Sequence, residues 1–151
     1  MKLLYHALLI LGNFSEWEPE LAIQLLRIPS VPNYAGVRKL IEMASAPWME
    51  EFLQNGGLSV LFNSLEKLSA SSVCGFSNTL LELEVVYAIK SVINSKVGIE
   101  FLLTQKQLTR QLIKGTAVVN YNYLPGITII YRSIIQFMQF YSSYWSLKLD
   151  H

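Results

Sequence analysis

Apolar residues recur at helical spacing through the middle of the chain, and short breaks rich in proline, glycine and serine separate the runs. Leu21, Leu25 and Ile28 follow one another at intervals of three or four residues, which is the spacing of one face of an α-helix. The pattern therefore predicts an all-α fold built from short helices. The longest single face comprises Leu58, Leu61, Phe62, Leu65 and Leu68.

Serine and proline positions predict where the first three helices begin and end. Ser15-Glu16-Trp17-Glu18 has the form of a capping box, in which a hydroxyl accepts a backbone N–H bond and a glutamate reaches back. The first helix is therefore predicted to open at Ser15. Pro29 and Pro32 are expected to end it, and a second helix is predicted over about 34–44. Pro47 suits the first turn of a third helix, where its missing N–H needs no partner.

Glycines and a second capping motif set the later boundaries. Asn55-Gly56-Gly57 is predicted to end the third helix, because glycine readily adopts the left-handed conformation of a helix cap. Residues 69–75 are predicted to form a polar linker. Thr79-Leu80-Leu81-Glu82 has the capping-box form again and is predicted to open the most apolar helix, which Asn94-Ser95-Lys96 ends. Short helices over 99–103 and about 107–113 are predicted to follow.

The helix predicted to begin at Thr79 carries apolar residues on nearly all sides, which is typical of a helix buried between its neighbours. Its many β-branched residues leave a strand as the alternative. The length of the run and the capping motif favour the helix.

A weak internal repeat of about 50 residues runs through the same region. The first copy has Phe52-Leu53 and then Leu58, Leu61 and Phe62. The second copy has Phe101-Leu102 and then Leu108, Leu112 and Ile113. The period is slightly longer than the roughly 40–47 residues of armadillo and HEAT repeats. The order of short helix, glycine bend, amphipathic helix and long buried helix suits an α-solenoid, in which each unit stacks on the next.

Composition divides the 151 residues into three parts: an apolar leader (1–14), a charged helical body (15–114) and an aromatic tail (115–151). The leader has the charged and apolar start of a signal peptide but no small-residue cleavage site, so an additional helix packed on the body is preferred. In the tail, Arg132 and Pro125-Gly126 oppose a membrane span, and a helix packed over the end of the solenoid is predicted instead.

Charge and reactive residues exclude several classes of function. The formal net charge is +1, from 12 basic and 11 acidic residues, so nucleic-acid binding through bulk positive charge is not expected. Cys74 is the single cysteine, and His6 and His151 lie near the two ends. An internal disulfide is therefore impossible, and a zinc site or a Cys–His dyad has almost no residues to draw on. No phosphate-binding glycine motif or HExxH motif occurs. The sequence predicts a non-enzymatic protein without cofactor or metal.

Two blocks of sequence resemble the N-terminal regulatory region of formins. The first runs from Trp48 to Leu58 (WMEEFLQNGGL) and continues through Leu61-Phe62 to Leu65-Glu66-Lys67-Leu68. The second runs from Leu81 to Glu100 and includes the turn Asn94-Ser95-Lys96-Val97-Gly98-Ile99. The flanking residues look most like the inverted-formin branch, and they are Pro19-Glu20-Leu21, Pro29-Ser30-Val31, Asn33-Tyr34, Gly36 and Arg110-Gln111-Leu112.

The resemblance covers about 15–114 and implies an incomplete armadillo-like α-solenoid, the diaphanous inhibitory domain. In this family the concave face binds an amphipathic, autoinhibitory helix from the formin's own C-terminal tail, and Rho-type GTPases relieve that contact in diaphanous-type members. Lys90 and Asn94 match positions where the inhibitory domain contacts that tail, one helical turn apart. The structural alternative is that Asn94 caps the helix and Lys90 is merely solvated.

Two departures limit what the resemblance implies. Rho-binding formins carry an Asn-rich turn before the tryptophan that matches Trp48, whereas residues 42–47 contain no asparagine, so tight Rho binding is not expected. After Gly115 unrelated sequence replaces the family's further helices, and the actin-nucleating part is absent, so the chain is expected to act on actin only indirectly. The expected role is cytoplasmic, cytoskeleton-associated regulation of actin organisation. Two alternatives stay open: a truncated form without autonomous activity, and a small membrane-associated helical protein.

Overall fold

The computed structural model describes residues 17–71 and 75–111, together with Gln136 and Gln139. Residues 106–111 and the two glutamines are helical, and no residue in these ranges lies in a strand, so the predicted all-α fold is confirmed. The predicted leader and nearly all of the predicted tail lie outside the described residues. The longer helices of the described part are α1 (Pro19–Leu26), α2 (Val31–Glu42), α3 (Ala46–Gln54), α4 (Gly57–Ala70), α5 (Phe76–Asn94) and α6 (Lys96–Thr104).

Each of the first three helices packs against the helix three places further along the chain. α1 contacts α4, α2 contacts α5 and α3 contacts α6, and the contact between α2 and α5 is the most extensive of all. α3 and α6 begin at Ala46 and Lys96, which agrees with the predicted period of about 50 residues. Equivalent helices of successive three-helix units therefore lie side by side, which is the stacking that stabilises a solenoid.

One continuous apolar core connects all six helices. All five members of the predicted α4 face are buried within it, as expected from their spacing. Each large apolar side chain that the core removes from water contributes roughly 1.5–3 kcal/mol to folding. The members with no exposed surface are Ala22, Val37, Phe52, Leu58, Leu61, Val92 and Leu102.

Proline positions correct the first two predicted helix starts. α1 begins at Pro19, after an extended Glu18 that makes no side-chain cap, so the prediction of a start at Ser15 is wrong. α2 begins at Val31 rather than near Tyr34, and the Ser30 hydroxyl accepts from the Asn33 amide at 3.2 Å. Pro32 lies in the first turn of this helix, because the amide that proline lacks has no helical partner there.

The boundaries around α3 agree with the predictions. Pro47 lies in the first turn, and the Ser45 hydroxyl caps the helix by accepting from the Trp48 amide at 3.4 Å. Gly56 ends the turn with φ +83°, the left-handed conformation that a side chain would disfavour. Gly57 then begins α4, and the Phe52 ring occupies the space beside its Cα.

α5 begins earlier than predicted, at Phe76, with Gly75 as its N-cap. Thr79 is already inside the helix, because its amide donates to the Gly75 carbonyl at 3.1 Å, and the predicted capping box is therefore wrong. The predicted linker over 69–75 is also too long, since α4 continues to Ala70. No residue between Gly75 and Thr79 favours breaking a helix, so the glycine sets the boundary.

The helix predicted to be buried on nearly all sides meets that expectation only in its second half. Val85, Ala88, Ile89 and Val92 are buried, whereas residues 76–84 are all exposed or half-buried. The strand alternative for this segment is wrong, because α5 is one uninterrupted helix. α6 is longer than the predicted 99–103, because it begins at Lys96. The Ser95 hydroxyl caps this start by accepting a hydrogen bond from the Gly98 amide at 2.9 Å.

Candidate functional site

A stripe of accessible side chains runs along the whole length of α5. Its members recur at alternating intervals of four and three residues, so they lie on one face of the helix. The first four are apolar, and of these Phe76 is 80% exposed and Tyr87 is 37% exposed. Leu80 and Leu83 between them are half-buried. We call this surface the α5 stripe; it consists of Phe76, Leu80, Leu83, Tyr87, Lys90 and Asn94.

Lys90 and Asn94 form the polar end of the α5 stripe. The Lys90 side chain is half-buried and Asn94 is exposed, and both belong to the last turns of the same helix. Among the described residues, neither side chain has a hydrogen bond or an ion pair. The predicted juxtaposition on one helical face is therefore present. The structural alternative for Asn94 is not realised, since the cap residue after α5 is Ser95.

A charged cluster fixes α5 against α2 next to this surface. Arg38 Nε donates to Glu84 Oε2 at 2.5 Å, and Arg38 Nη1 donates to Glu42 Oε1 at 2.7 Å. The hydrogen bond to Glu84 raises the pKa of Arg38 above its already high value, and Glu42 adds to that effect. The cluster therefore holds two equivalent helices of successive units in a fixed relation.

A groove of about 430 Å³ lies between Asn94 and the turn 42–47. The formin resemblance associates this turn with GTPase contact. Its walls are the turn between α2 and α3 and the turn between α5 and α6, including Glu42, Ser45 and Lys96. Met43 in the first turn is 67% exposed. The structure thus brings Asn94 and the stretch 42–47 to one groove, whereas Lys90 is not part of its lining.

Trp48 is held in place by its neighbours and is only half-buried. Its ring stacks on Phe52 with a centroid distance of 5.3 Å, and its Nε1 donates to the Trp17 carbonyl at 2.7 Å. The chain segment before α1 is therefore tied to α3. This contact gives Trp48 a structural role at the first residue of the block 48–58 that resembles formins.

Glu82 is the one acidic residue of the described part whose pKa is raised clearly, and the cause is desolvation by burial. Its carboxylate has no hydrogen bond or ion pair within the described residues.

In the described ranges no cluster of three or more histidine, cysteine, aspartate or glutamate residues could hold a metal ion. Cys74, His6 and His151 lie outside the described residues.

Sequence reasoning missed the apolar half of the α5 stripe. The predicted start at Thr79 placed Phe76 outside the helix, whereas Phe76 is its first residue. The signal was nevertheless present, because Phe76, Leu80, Leu83 and Tyr87 continue one helical register.

None of the described helices is both long and apolar enough to cross a membrane.

Comparison with known proteins identifies relatives of this chain. It is 38% identical over 109 residues to inverted formin-2 of Xenopus tropicalis, a match that covers 72% of this chain and 8% of the relative. Inverted formin-2 of Xenopus laevis matches at 38% identity over 109 residues, again 72% of this chain and 10% of that protein. The chain thus spans no more than about a tenth of the length of these relatives. No family profile and no solved structure matches the chain.

The matched length agrees with the extent of the region in which the sequence resembles formins. The similarity covers almost three quarters of the chain at an identity well above chance, and both relatives carry the same name. This chain therefore contains a region of the formin family, related to the inverted formins.

Proposed function

We propose that this chain is a non-catalytic regulatory module of formin type whose α5 stripe binds the amphipathic C-terminal inhibitory helix of a formin. The observation that supports it most strongly is the accessible row of apolar side chains that continues into Lys90 and Asn94. Helix-in-groove recognition uses apolar anchors at intervals of three and four residues, which is the spacing of this row. In the cell, such a module would act in the cytoplasm, on the actin cytoskeleton, through its formin partner.

The chemistry of the stripe favours a helix bound along α5 in one direction. Phe76 and the accessible parts of Leu80 and Leu83 offer an apolar surface of the kind that buries aliphatic anchors of a partner. Lys90 offers a cation to an acidic side chain or to the negative C-terminal end of a helix. Asn94 offers both a donor and acceptor for the partner's backbone or side chains. Both polar side chains lack partners in the described part of the chain, so binding breaks no hydrogen bond or ion pair there.

Fluorescence anisotropy with a labelled formin C-terminal inhibitory peptide tests this proposal on the full chain. We expect Lys90→Ala with Asn94→Ala to weaken binding roughly tenfold, which corresponds to about 1.4 kcal/mol. Phe76→Ala should also weaken it, with little change in stability, because the side chain is 80% exposed. The matched control is Lys39→Ala with Gln54→Ala, two exposed residues away from the α5 stripe. Equal binding by the wild type and the Lys90/Asn94 double variant would reject the assignment of these residues.

A Rho-family GTPase is a second candidate partner, and the groove beside Asn94 is where we place it. The turn between α2 and α3 lines this groove together with Asn94, so a GTPase bound there would compete with a helix that reaches Asn94. Without an asparagine in the stretch 42–47, we expect weak binding. Biosensor measurements with GTP-loaded and GDP-loaded GTPase test this; identical responses to the two forms would contradict it.

The alternative function is a truncated form that has no activity of its own. It is favoured if a folded chain, with a cooperative thermal transition and helical circular dichroism, binds neither peptide nor GTPase. The regulatory function is supported instead if the chain competes for the inhibitory helix of a full-length formin. This competition is measured as release of that formin from inhibition.

A further inference from the structure

A second groove of about 590 Å³ lies away from the α5 stripe, where the ends of α1 and α4 meet the starts of α2 and α5. No member of the stripe lines it, and the Asn94 groove shares none of its residues. Its described walls carry two cationic side chains, Arg27 and Lys67, and no carboxylate. Neither cation has an ion pair or a side-chain hydrogen bond within the described residues. The described walls of the groove therefore carry a net positive charge.

A buried hydroxyl in the wall of this groove also lacks a partner. Ser64 is 9% exposed, and its Oγ makes no hydrogen bond to any residue that the structure describes. A buried polar side chain usually has a hydrogen-bond partner within the protein or in ordered water. The other polar groups nearby are in use, since Tyr34 Oη donates to the Leu26 carbonyl and Asn78 Nδ2 donates to the Leu68 carbonyl. Ser64 is thus a donor available to a ligand.

The local backbone adds to the positive potential. Asn78 in the groove wall belongs to the first turn of α5, and the N-cap of that helix is a glycine, which brings no side-chain acceptor. The N-terminal end of a helix carries a partial positive charge and favours anions. Apolar walls lie beside these polar groups, formed by Leu26, Val60 and Leu68. A free phosphate would leave these walls uncovered, whereas a peptide with apolar side chains would cover them.

We propose that this groove binds a short acidic peptide segment in which carboxylate side chains alternate with apolar ones. Carboxylates pair with Arg27 and Lys67, a carboxylate or carbonyl oxygen accepts from the Ser64 hydroxyl, and apolar side chains pack on Val60 and Leu68. The assignment is independent of the function proposed for the α5 stripe. The full chain can therefore hold a formin helix on one surface and an acidic segment on another.

The test uses the full chain and the labelled peptide Gly-Ser-Glu-Leu-Glu-Asp-Leu-Glu-Gly-Ser, with a second peptide in which glutamine and asparagine replace the acids. At low salt, we expect the acidic peptide to bind and the amide peptide not to bind. Arg27→Gln with Lys67→Gln should weaken it about fivefold to tenfold, because two exposed ion pairs are lost. The control of equal charge change is Lys39→Gln with Arg110→Gln, two exposed cations outside the groove, which should bind like the wild type.

Ser64→Ala separates a binding role from a structural one. Removing a buried hydroxyl that has no partner should leave stability unchanged or raise it, yet binding of the acidic peptide should fall about threefold. Equal affinity for the acidic and amide peptides, or for the wild type and the Arg27/Lys67 variant, overturns the proposal. So does complete displacement by millimolar inorganic phosphate, which indicates an anion site only. Sedimentation with phosphatidylserine vesicles that depends on Arg27 and Lys67, without peptide binding, assigns the surface to lipid and overturns it as well.

Discussion

The Arg38 guanidinium on α2 bonds to the Glu84 carboxylate on α5, across the interface between equivalent helices of successive units. The two side chains are 24% and 18% exposed, so water screens this pair only partly. Glu42, the second partner of Arg38, is 41% exposed and lies on α2 itself. The bond to Glu84 is therefore the one that connects two units.

We expect Glu84→Gln to lower the free energy of unfolding by about 1 kcal/mol, because the charge-assisted bond between units is weakened. Glu42→Gln removes an exposed pair within one helix and should cost only about 0.3–0.5 kcal/mol. Urea denaturation followed by circular dichroism measures both values. A larger loss for Glu42→Gln than for Glu84→Gln would contradict this ranking.

Gly98→Ala should be strongly destabilising. A Cβ at this position would collide with the Val92 carbonyl oxygen, which is backbone and cannot move aside as a flexible side chain can. We expect a loss of about 2–3 kcal/mol, at the upper end of the range for overpacking. The control is Gly75→Ala, where a Cβ meets nothing within 4 Å and φ is −135°. That variant should change stability by less than about 1 kcal/mol, because the restriction of the unfolded chain offsets the poorer N-cap that alanine makes.

The two serine caps of α3 and α6 should differ in strength. Ser95 Oγ accepts from the Gly98 amide at 2.9 Å and donates to the Val92 carbonyl at 2.6 Å, whereas Ser45 Oγ accepts at 3.4 Å. Ser95→Ala should cost about 1 kcal/mol or more and Ser45→Ala about 0.5 kcal/mol. Thermal unfolding of the two single variants makes the comparison, and a costlier loss at Ser45 would be inconsistent with these geometries.

Glu82 makes the stability of the chain depend on pH. Burial raises its pKa in the folded chain above the ordinary 4.5, so the folded state binds a proton more tightly than the unfolded state. Protonation of Glu82 therefore stabilises the folded chain. This stabilisation is complete below pH 4.5 and is lost as the pH rises through the pKa of Glu82 in the folded state. Glu82→Gln should therefore raise the melting temperature at pH 7, and the difference from the wild type should shrink on acidification. Glu66→Gln on the exposed surface of α4 is the control. If the difference in melting temperature between Glu82→Gln and the wild type instead grew towards acid pH, the prediction would be contradicted.

For the described part of the chain, the order of the helices and the repeat could be predicted from the sequence, because apolar spacing and glycine breaks are local signals. The wrong starts of α1 and α2 have one common cause. Pro32 was interpreted as a stop, and the predicted start at Ser15 placed Pro19 inside the first helix. Both prolines lie in a first turn, as Pro47 was predicted to. A proline marks a helix start as readily as a helix end, and only the residues that pack afterwards decide between them.

The candidate sites were predictable only in part. Lys90 and Asn94 followed from a resemblance, and their common face followed from the helical period. The bond between Arg38 and Glu84 joins residues 46 positions apart, so no local pattern indicates it. The groove with Arg27, Lys67 and Ser64 likewise forms only when α1, α4 and the first turn of α5 come together.

Paramagnetic relaxation with a spin-labelled formin inhibitory peptide tests most directly whether the α5 stripe is the binding surface. Amide signals of the full chain are recorded with the label oxidised and then reduced. We predict that broadening is confined to the neighbourhood of Leu80, Leu83 and Tyr87 and extends to Asn94, with residues near Arg27 and Lys67 unaffected. Broadening around Arg27 and Lys67, with the α5 signals unchanged, would contradict the proposed function.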